Sequence, residues 1–333
     1  MTAVSRALPL VLLVAACAES SAVAPGAARA PGPLLDEGDL LAMVPAEADL
    51  VLWADMAKLR ASPWTRDSFA KVTSGDADSA ESGLDQMRDV DRLVFAKLPA
   101  LRDGASVLVA QGTIDRERMG KAFARNLGGI EKSVYRGADV LVRGEEALAF
   151  VGKRTVISGL TVAVRAAIDG NFGVARTIET ESWFQRMRTE LLQGKDSASS
   201  VVSMYVHLQP DTREALMREM GEGGTLEEFG MRIDLGDDLD VRAVGVLRRE
   251  AEARDLAARL IERIRDARVR PIVAAFGFVS VLDSVRFQVK ETRLEATLHI
   301  SAKERAEISE RMAVVAETMA KLRKPRAEEK KSR

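Results

Sequence analysis

Apolar and polar residues alternate with a period of two over many short segments, and this sets the first constraint on the fold. Near the C-terminal end, Val285, Phe287 and Val289 alternate with Arg286, Gln288 and Lys290, while Leu294, Ala296, Leu298 and Ile300 alternate with Arg293, Glu295, Thr297 and His299. Successive strand side chains point to opposite faces, so each segment offers one core face and one wet face. Comparable strands are expected at Leu50–Met56, Val90–Leu98, Ala105–Gln111, Ala138–Val142, Ala147–Val151, Arg154–Ile157, Val201–Leu208, Met231–Leu235 and Leu239–Leu247. Helical periodicity falls between them: a helix opening at Ser62-Pro63, then Ile114–Leu127, Leu160–Ile168, Trp183–Leu192, Asp211–Met220, Glu250–Ala267 and Ser301–Leu322. Asp211 with Glu214, and Ser301 with Glu304, have capping-box spacing.

The same order of elements occurs twice, which suggests a repeat of about 150 residues. The expected class is α+β, with two similar lobes, each a mainly antiparallel sheet with helices packed on one face. A length of 333 residues fits this, because single cores stop growing at roughly 250 to 300 residues. The loop Gly194-Lys195-Asp196-Ser197 places the boundary near 195, giving a first lobe at 36–195 and a second at 196–322.

The N-terminus carries an address. Met1 to Ala16 holds one basic residue, Arg6, followed by the apolar run Ala7–Ala16, which is signal-peptide layout and too short to span a bilayer. Val14-Ala15-Ala16-Cys17 resembles the lipobox of bacterial lipoproteins. The resemblance implies cleavage between Ala16 and Cys17, lipidation of the Cys17 thiol, and a membrane partner reached through that lipid. Cys17 is the sole cysteine, so an acylated chain retains no thiol for a disulfide, a metal or a nucleophile. Ala18 is not the aspartate that commonly retains lipoproteins at the inner membrane, so the expected location is the outer membrane facing the periplasm, with the inner membrane or the cell surface as alternatives. Residues 17–35, with Pro25-Gly26 and Pro31-Gly32-Pro33, read as a flexible tether reaching roughly 20 to 25 Å. At the other end, residues 323–333 hold six basic and two acidic side chains, with Pro325 ending the preceding helix, and read as a disordered basic tail.

A second resemblance rests on Val44-Pro45-Ala46-Glu47-Ala48-Asp49, then Asp55, Ser62-Pro63 and Tyr205 in the strand that opens the second half. These residues resemble uncharacterised bacterial exported proteins built from duplicated α+β units. The resemblance implies an envelope location and supplies no catalytic residues.

Chemistry is sparse. The net charge of −1 argues against a nucleic-acid binder, which needs a basic surplus. The two histidines, His207 and His299, lack a partner at metal-ligand spacing, and no metal or cofactor is expected. His299 alternates with core residues and reads as a surface imidazole. Tyr205 and His207 share a strand face and are the candidates for lining a groove. There is no Gly-x-Ser-x-Gly elbow, although Ser158-Gly159 lies between a strand and a helix, and Gly221, Gly223 and Gly224 precede no Gly-Lys-Ser/Thr. Asp234-Leu235-Gly236-Asp237-Asp238-Leu239-Asp240 reads as a hairpin turn, with a calcium site as the competing reading. The uncharged run Ile272–Leu282 reads as core, or as a lipid-facing wall or partner groove; Trp53, Trp64 and Trp183 read as core anchors or the lining of a cleft. The expectation is a lipid-anchored envelope protein acting as a non-enzymatic binding or scaffold module for a protein or apolar ligand. The alternatives are a lipid carrier, or an envelope hydrolase whose site brings Tyr205 and His207 to carboxylates of the opposite lobe.

Overall fold

The computed structural model describes residues 40–65, 84–85, 88–101, 104–125, 129–192, 200–210, 213–214, 225–271, 273, 277–308 and 310–311. The signal segment, the tether with Cys17, the helix expected at 211–220 apart from 213–214, and residues 312–333 lie outside them. In chain order the first half contains β1 (Leu50–Asp55), α1 (Met56–Ala61), β2 (Val90–Lys97), β3 (Ser106–Gly112), α2 (Arg116–Ala124), β4 (Glu131–Tyr135), β5 (Ala138–Arg143), β6 (Glu146–Val151), β7 (Thr155–Leu160), α3 (Thr161–Asn171) and α4 (Ser182–Leu192). The second half contains β8 (Ser200–His207), β9 (Leu226–Leu235), β10 (Leu239–Leu247), α5 (Glu250–Arg268), α6 (Val279–Ser284), β11 (Arg286–Lys290) and β12 (Arg293–Ile300).

The fold is α+β with a large antiparallel sheet. Its order is β11-β12-β10-β9-β8-β1-β2-β3-β7-β6-β5-β4. Outward from the centre, the second half runs 8-9-10-12-11 and the first runs 1-2-3-7-6, so the duplicated order read from the sequence has a spatial counterpart. The β4–β5 hairpin is an addition to the first half. The halves meet where β1 pairs with β8, with Leu50 opposite Val206, Leu52 opposite Met204 and Ala54 opposite Val202. The sheet therefore continues across the duplication.

Strand alternation sends side chains to both faces of the first half, and helices cover both. Val94, Ala96, Val107, Val109, Ala147 and Ala149 pack with Ala163, Val164 and Ile168 of α3 and Phe184, Met187 and Leu191 of α4. Leu148, Phe150 and Val156 point the other way, toward Met119 of α2 and Met56 of α1. In the second half, Ala253 and Ala257 of α5 sit on Leu247 and Leu294, flanked by Phe287 and Val289. α4 approaches β9 closely because Gly230 has no side chain: a Cβ there would lie 2.6 Å from the Met187 sulfur.

Local chemistry explains where the structure departs from the sequence pattern. Ser62-Pro63 closes a helix instead of opening one. Asp55 caps α1 by accepting from the Lys58 amide at 2.9 Å, and Ser62 is the C-cap. β4 was not expected; its sequence Glu-Lys-Ser-Val-Tyr has too little apolar alternation. β9 begins at Leu226, before the expected Met231, because the charge of Glu228 is matched by an arginine from α4. The C-terminal capping box forms as expected: Ser301 N donates to Glu304 Oε2 at 2.8 Å and Glu304 N to Ser301 Oγ at 3.3 Å. Among the described residues, no helix is long and apolar enough to cross a membrane.

Phe184 is fully buried where the two halves share one core. Truncation removes a large ring that the surroundings refill only in part. Phe184→Ala is expected to cost about 3–5 kcal/mol, measured by urea unfolding with unchanged native circular dichroism.

Candidate functional site

The best-placed polar cluster lies at the junction of the halves, on the sheet face covered by α4. His207 ends β8 and stands opposite Glu228 in the β8–β9 register, so two residues 21 apart in sequence become neighbours. The His207 Nδ1 lies 4.0 Å from Glu228 Oε1. Arg186 of α4 donates to the same carboxylate oxygen at 2.7 Å. The His207 ring stacks on Trp183 with centroids 5.4 Å apart and planes at 29°, and the His207 amide donates to the Asp49 carbonyl at 2.7 Å. The imidazole side chain is 39% exposed while the Glu228 side chain is 10% exposed. The histidine is thus held beside a buried carboxylate whose arginine partner is half exposed.

Tyr205 and His207 do share a face, but only His207 reaches the surface. Tyr205 is a core residue, packed edge-on against Phe184 at 4.7 Å, and this corrects the expectation that it lines a groove. The cause is α4, whose apolar stripe Trp183-Phe184-Met187-Leu191 is laid along β8 and β9. The carboxylate brought to His207 comes from the neighbouring strand of its own half.

Further along this face runs a row that single-sequence reading missed. Ser203 stands opposite Arg232, Arg232 opposite Arg242, and Arg242 opposite Thr297. Each arginine has its own acid: Arg232 Nε lies 2.7 Å from Asp234 Oδ1, and Arg242 Nε 2.9 Å from Glu295 Oε1. The Arg232 side chain is only 2% exposed, so its charge is matched inside the protein. In sequence these residues look like the polar members of solvent-facing strands; nothing local signals that their face is covered.

The acidic segment forms the β9–β10 turn. Gly236 N donates to Asp238 O at 2.9 Å, which separates Asp234, committed to Arg232, from Asp240, bonded to His299 at 2.8 Å. The Asp240 contact raises the His299 pKa above its ordinary value. No group of three potential metal ligands occurs among the described residues. Ser158-Gly159 lies within β7, and Gly159 has φ +155° with its Cα against the Ser106 carbonyl, where a Cβ would come within 2.2 Å. The glycine serves strand packing, not a nucleophile elbow. The tryptophans do not gather in one cleft: Trp183 joins the core, Trp53 packs beside it, and Trp64 donates to Asp237 O at 3.2 Å beneath Arg305. Within the apolar run 272–282, Ile272 and 274–276 lie outside the described residues, and α6 contains no buried residue.

Two open clefts lie away from His207. The larger, about 860 Å³, separates α2 from β4 and β5; Ile130, Val134, Leu141 and Phe150 give it an apolar lining, and Arg116 bridges to Asp139 at its rim at 3.3 Å. The smaller, about 560 Å³, lies between α3 and the β5–β6 turn, lined by Val142, Leu160, Val162 and Arg165.

No protein-family model matches the sequence, and no curated protein matches it at a significant level. Solved structures that resemble it include crystal form III of TP0453, with 11% identity and a TM-score of 0.47 over 82% of this chain and 98% of that one. Crystal form IV of TP0453 gives 12% identity and a TM-score of 0.48 over 81% and 96%. At this level of similarity, nothing about activity passes from those structures to this chain.

Asp49 is the perturbed acid at the junction. Burial pushes its carboxyl up to about 6, against the partial opposition of Lys97. The folded protein then holds a proton that the unfolded chain releases near pH 4, so between about pH 4 and 6 stability falls as pH rises. Asp49→Asn is expected to match wild type in denaturant unfolding at pH 4 and to exceed it at pH 7; equal stabilities at both pH values would contradict this assignment.

Proposed function

We propose that the chain is a lipid-anchored protein of the bacterial cell envelope whose folded body acts by binding a protein partner. Support for the anchor comes from Val14-Ala15-Ala16-Cys17 and the proline- and glycine-rich tether behind it. One observation carries the binding role: the histidine-bearing cluster at the junction of the halves lies away from both open clefts. Glu228 with Arg186, Arg232 with Asp234 and Arg242 with Glu295 are ion-paired on the sheet face against which α4 packs, with His207 stacked on Trp183 beside them, while the larger cleft is open, offers apolar Ile130, Val134, Leu141 and Phe150 beside charged side chains, and is flanked by the last strand of the sheet. A catalytic base needs a reacting atom within hydrogen-bond reach, whereas a recognition surface needs accessible apolar area beside polar groups. The second arrangement describes this molecule better. The partner is an envelope protein, met from the outer membrane's periplasmic side.

Metabolic labelling with radioactive palmitate tests the anchor. Wild type is expected to incorporate label and to fractionate with membranes, and Cys17→Ser to lose the label and keep its leader. An unlabelled wild-type chain in the soluble fraction would overturn the proposal.

A further inference from the structure

The two edges of the sheet differ in what stands beside them. β11 pairs only with β12 and carries α5 on one face, with Arg286, Gln288 and Lys290 on the other. β4 pairs only with β5, so its outer side presents a row of backbone donors and acceptors with no strand partner among the described residues. An open row of this kind is a template for another strand. Proline and bulges, two common guards of such edges, are missing from Glu131–Tyr135, and Val134 is 70% exposed on it.

The side chains indicate which strand fits. Glu131, Ser133 and Tyr135 share the α3 face, since the Tyr135 hydroxyl donates to Asp169 of α3 at 3.0 Å. The Tyr135 ring carries two guanidiniums, Arg136 at 5.7 Å and Arg165 of α3 at 5.5 Å from its centroid. Arg136 is already paired with Asp169. Arg165 and the exposed Glu131 form no ion pair among the described residues.

We propose that β4 pairs antiparallel with β4 of a second copy of this chain, about a two-fold axis through Ser133. In this register Ser133 faces Ser133, Lys132 faces Val134, and Glu131 of each copy stands opposite Tyr135 of the other, beside the unmatched Arg165. Cross-strand neighbours on one face lie about 5 Å apart, so each copy supplies the acid that the other lacks. The Lys132 stem covers the exposed Val134 of the facing strand. Moving the axis by one residue sets Lys132 against Lys132, or Lys132 against Arg136, and like charges directly opposite are destabilising. The chain's own charges thus select one register. Five residues a side make a small interface, so the association is weak and concentration-dependent.

The test uses the full chain carrying Cys17→Ser, so that no native thiol competes. Sedimentation should show a monomer–dimer equilibrium. Glu131→Arg or Arg165→Glu alone should weaken it about tenfold or more, and the two together should restore it, because the exchanged charges again face each other. Ser133→Cys should oxidise to a disulfide-linked dimer. Gly129→Cys, a position with open space for a Cβ, should not, because its symmetry mate is several residues out of register. Thermal unfolding of each variant confirms that it is folded. A monomer at every concentration, failure of the double charge exchange to restore association, or equal crosslinking from position 129 would overturn the proposal.

Discussion

Antiparallel pairing between β1 and β8 is the contact on which the rest of the molecule depends. Without it, each half would present an open edge, with strand backbone groups and the apolar residues Val51, Leu52, Met204 and Val206 exposed to water. With it, the sheet runs from β11 to β4, and both halves contribute to the core beneath α3 and α4. The same pairing sets the polar geometry. It brings the backbone of Asp49 onto that of His207, whose other neighbour, β9, places Glu228 within reach of Arg186.

A sheet that joins at its centre carries its variation at its ends. The first half has gained the β4–β5 hairpin, which creates both an apolar-lined cleft against α2 and an edge strand. In the second half α5 instead packs across β10, β12 and β11 at the opposite end of the sheet. The polar residues divide along the same line. Those near the centre are matched internally, Arg232 by Asp234 and Glu228 by Arg186, whereas Glu131 and Lys132 lie exposed at the rim. The recognition surface proposed above lies at this β4 end.

Much of the architecture was legible because strand and helix periodicities are local. The β11–β12 hairpin, β10, α4 and α5 lie within a residue or two of where alternation places them. What escaped depends on distant residues. Glu227-Glu228 look like loop until α4 supplies Arg186, and β4 looks like loop until β5 folds back on it. Ser62-Pro63 has the chemistry of a helix start, yet Asp55 caps seven residues earlier and makes Ser62 the stop. The candidate site was half visible: His207 and Tyr205 on one strand face were readable, but the helix that buries Tyr205 and the carboxylate beside His207 were not. The Arg232–Arg242 row had no local signal, since a buried arginine and a surface arginine read alike in sequence.

Native-state hydrogen exchange tests the central claim most directly. If the β1–β8 contact welds the halves into one cooperative body, the His207 amide, which donates across it to the Asp49 carbonyl, and the amides of Val51 and Tyr205, which lie in phase with that pair, should exchange only through global unfolding, at the same free energy as amides of β2 and β9. Exchange of β8, β9 and β10 through a cheaper opening that leaves β2 and β3 protected would show that the halves unfold separately and would contradict the account.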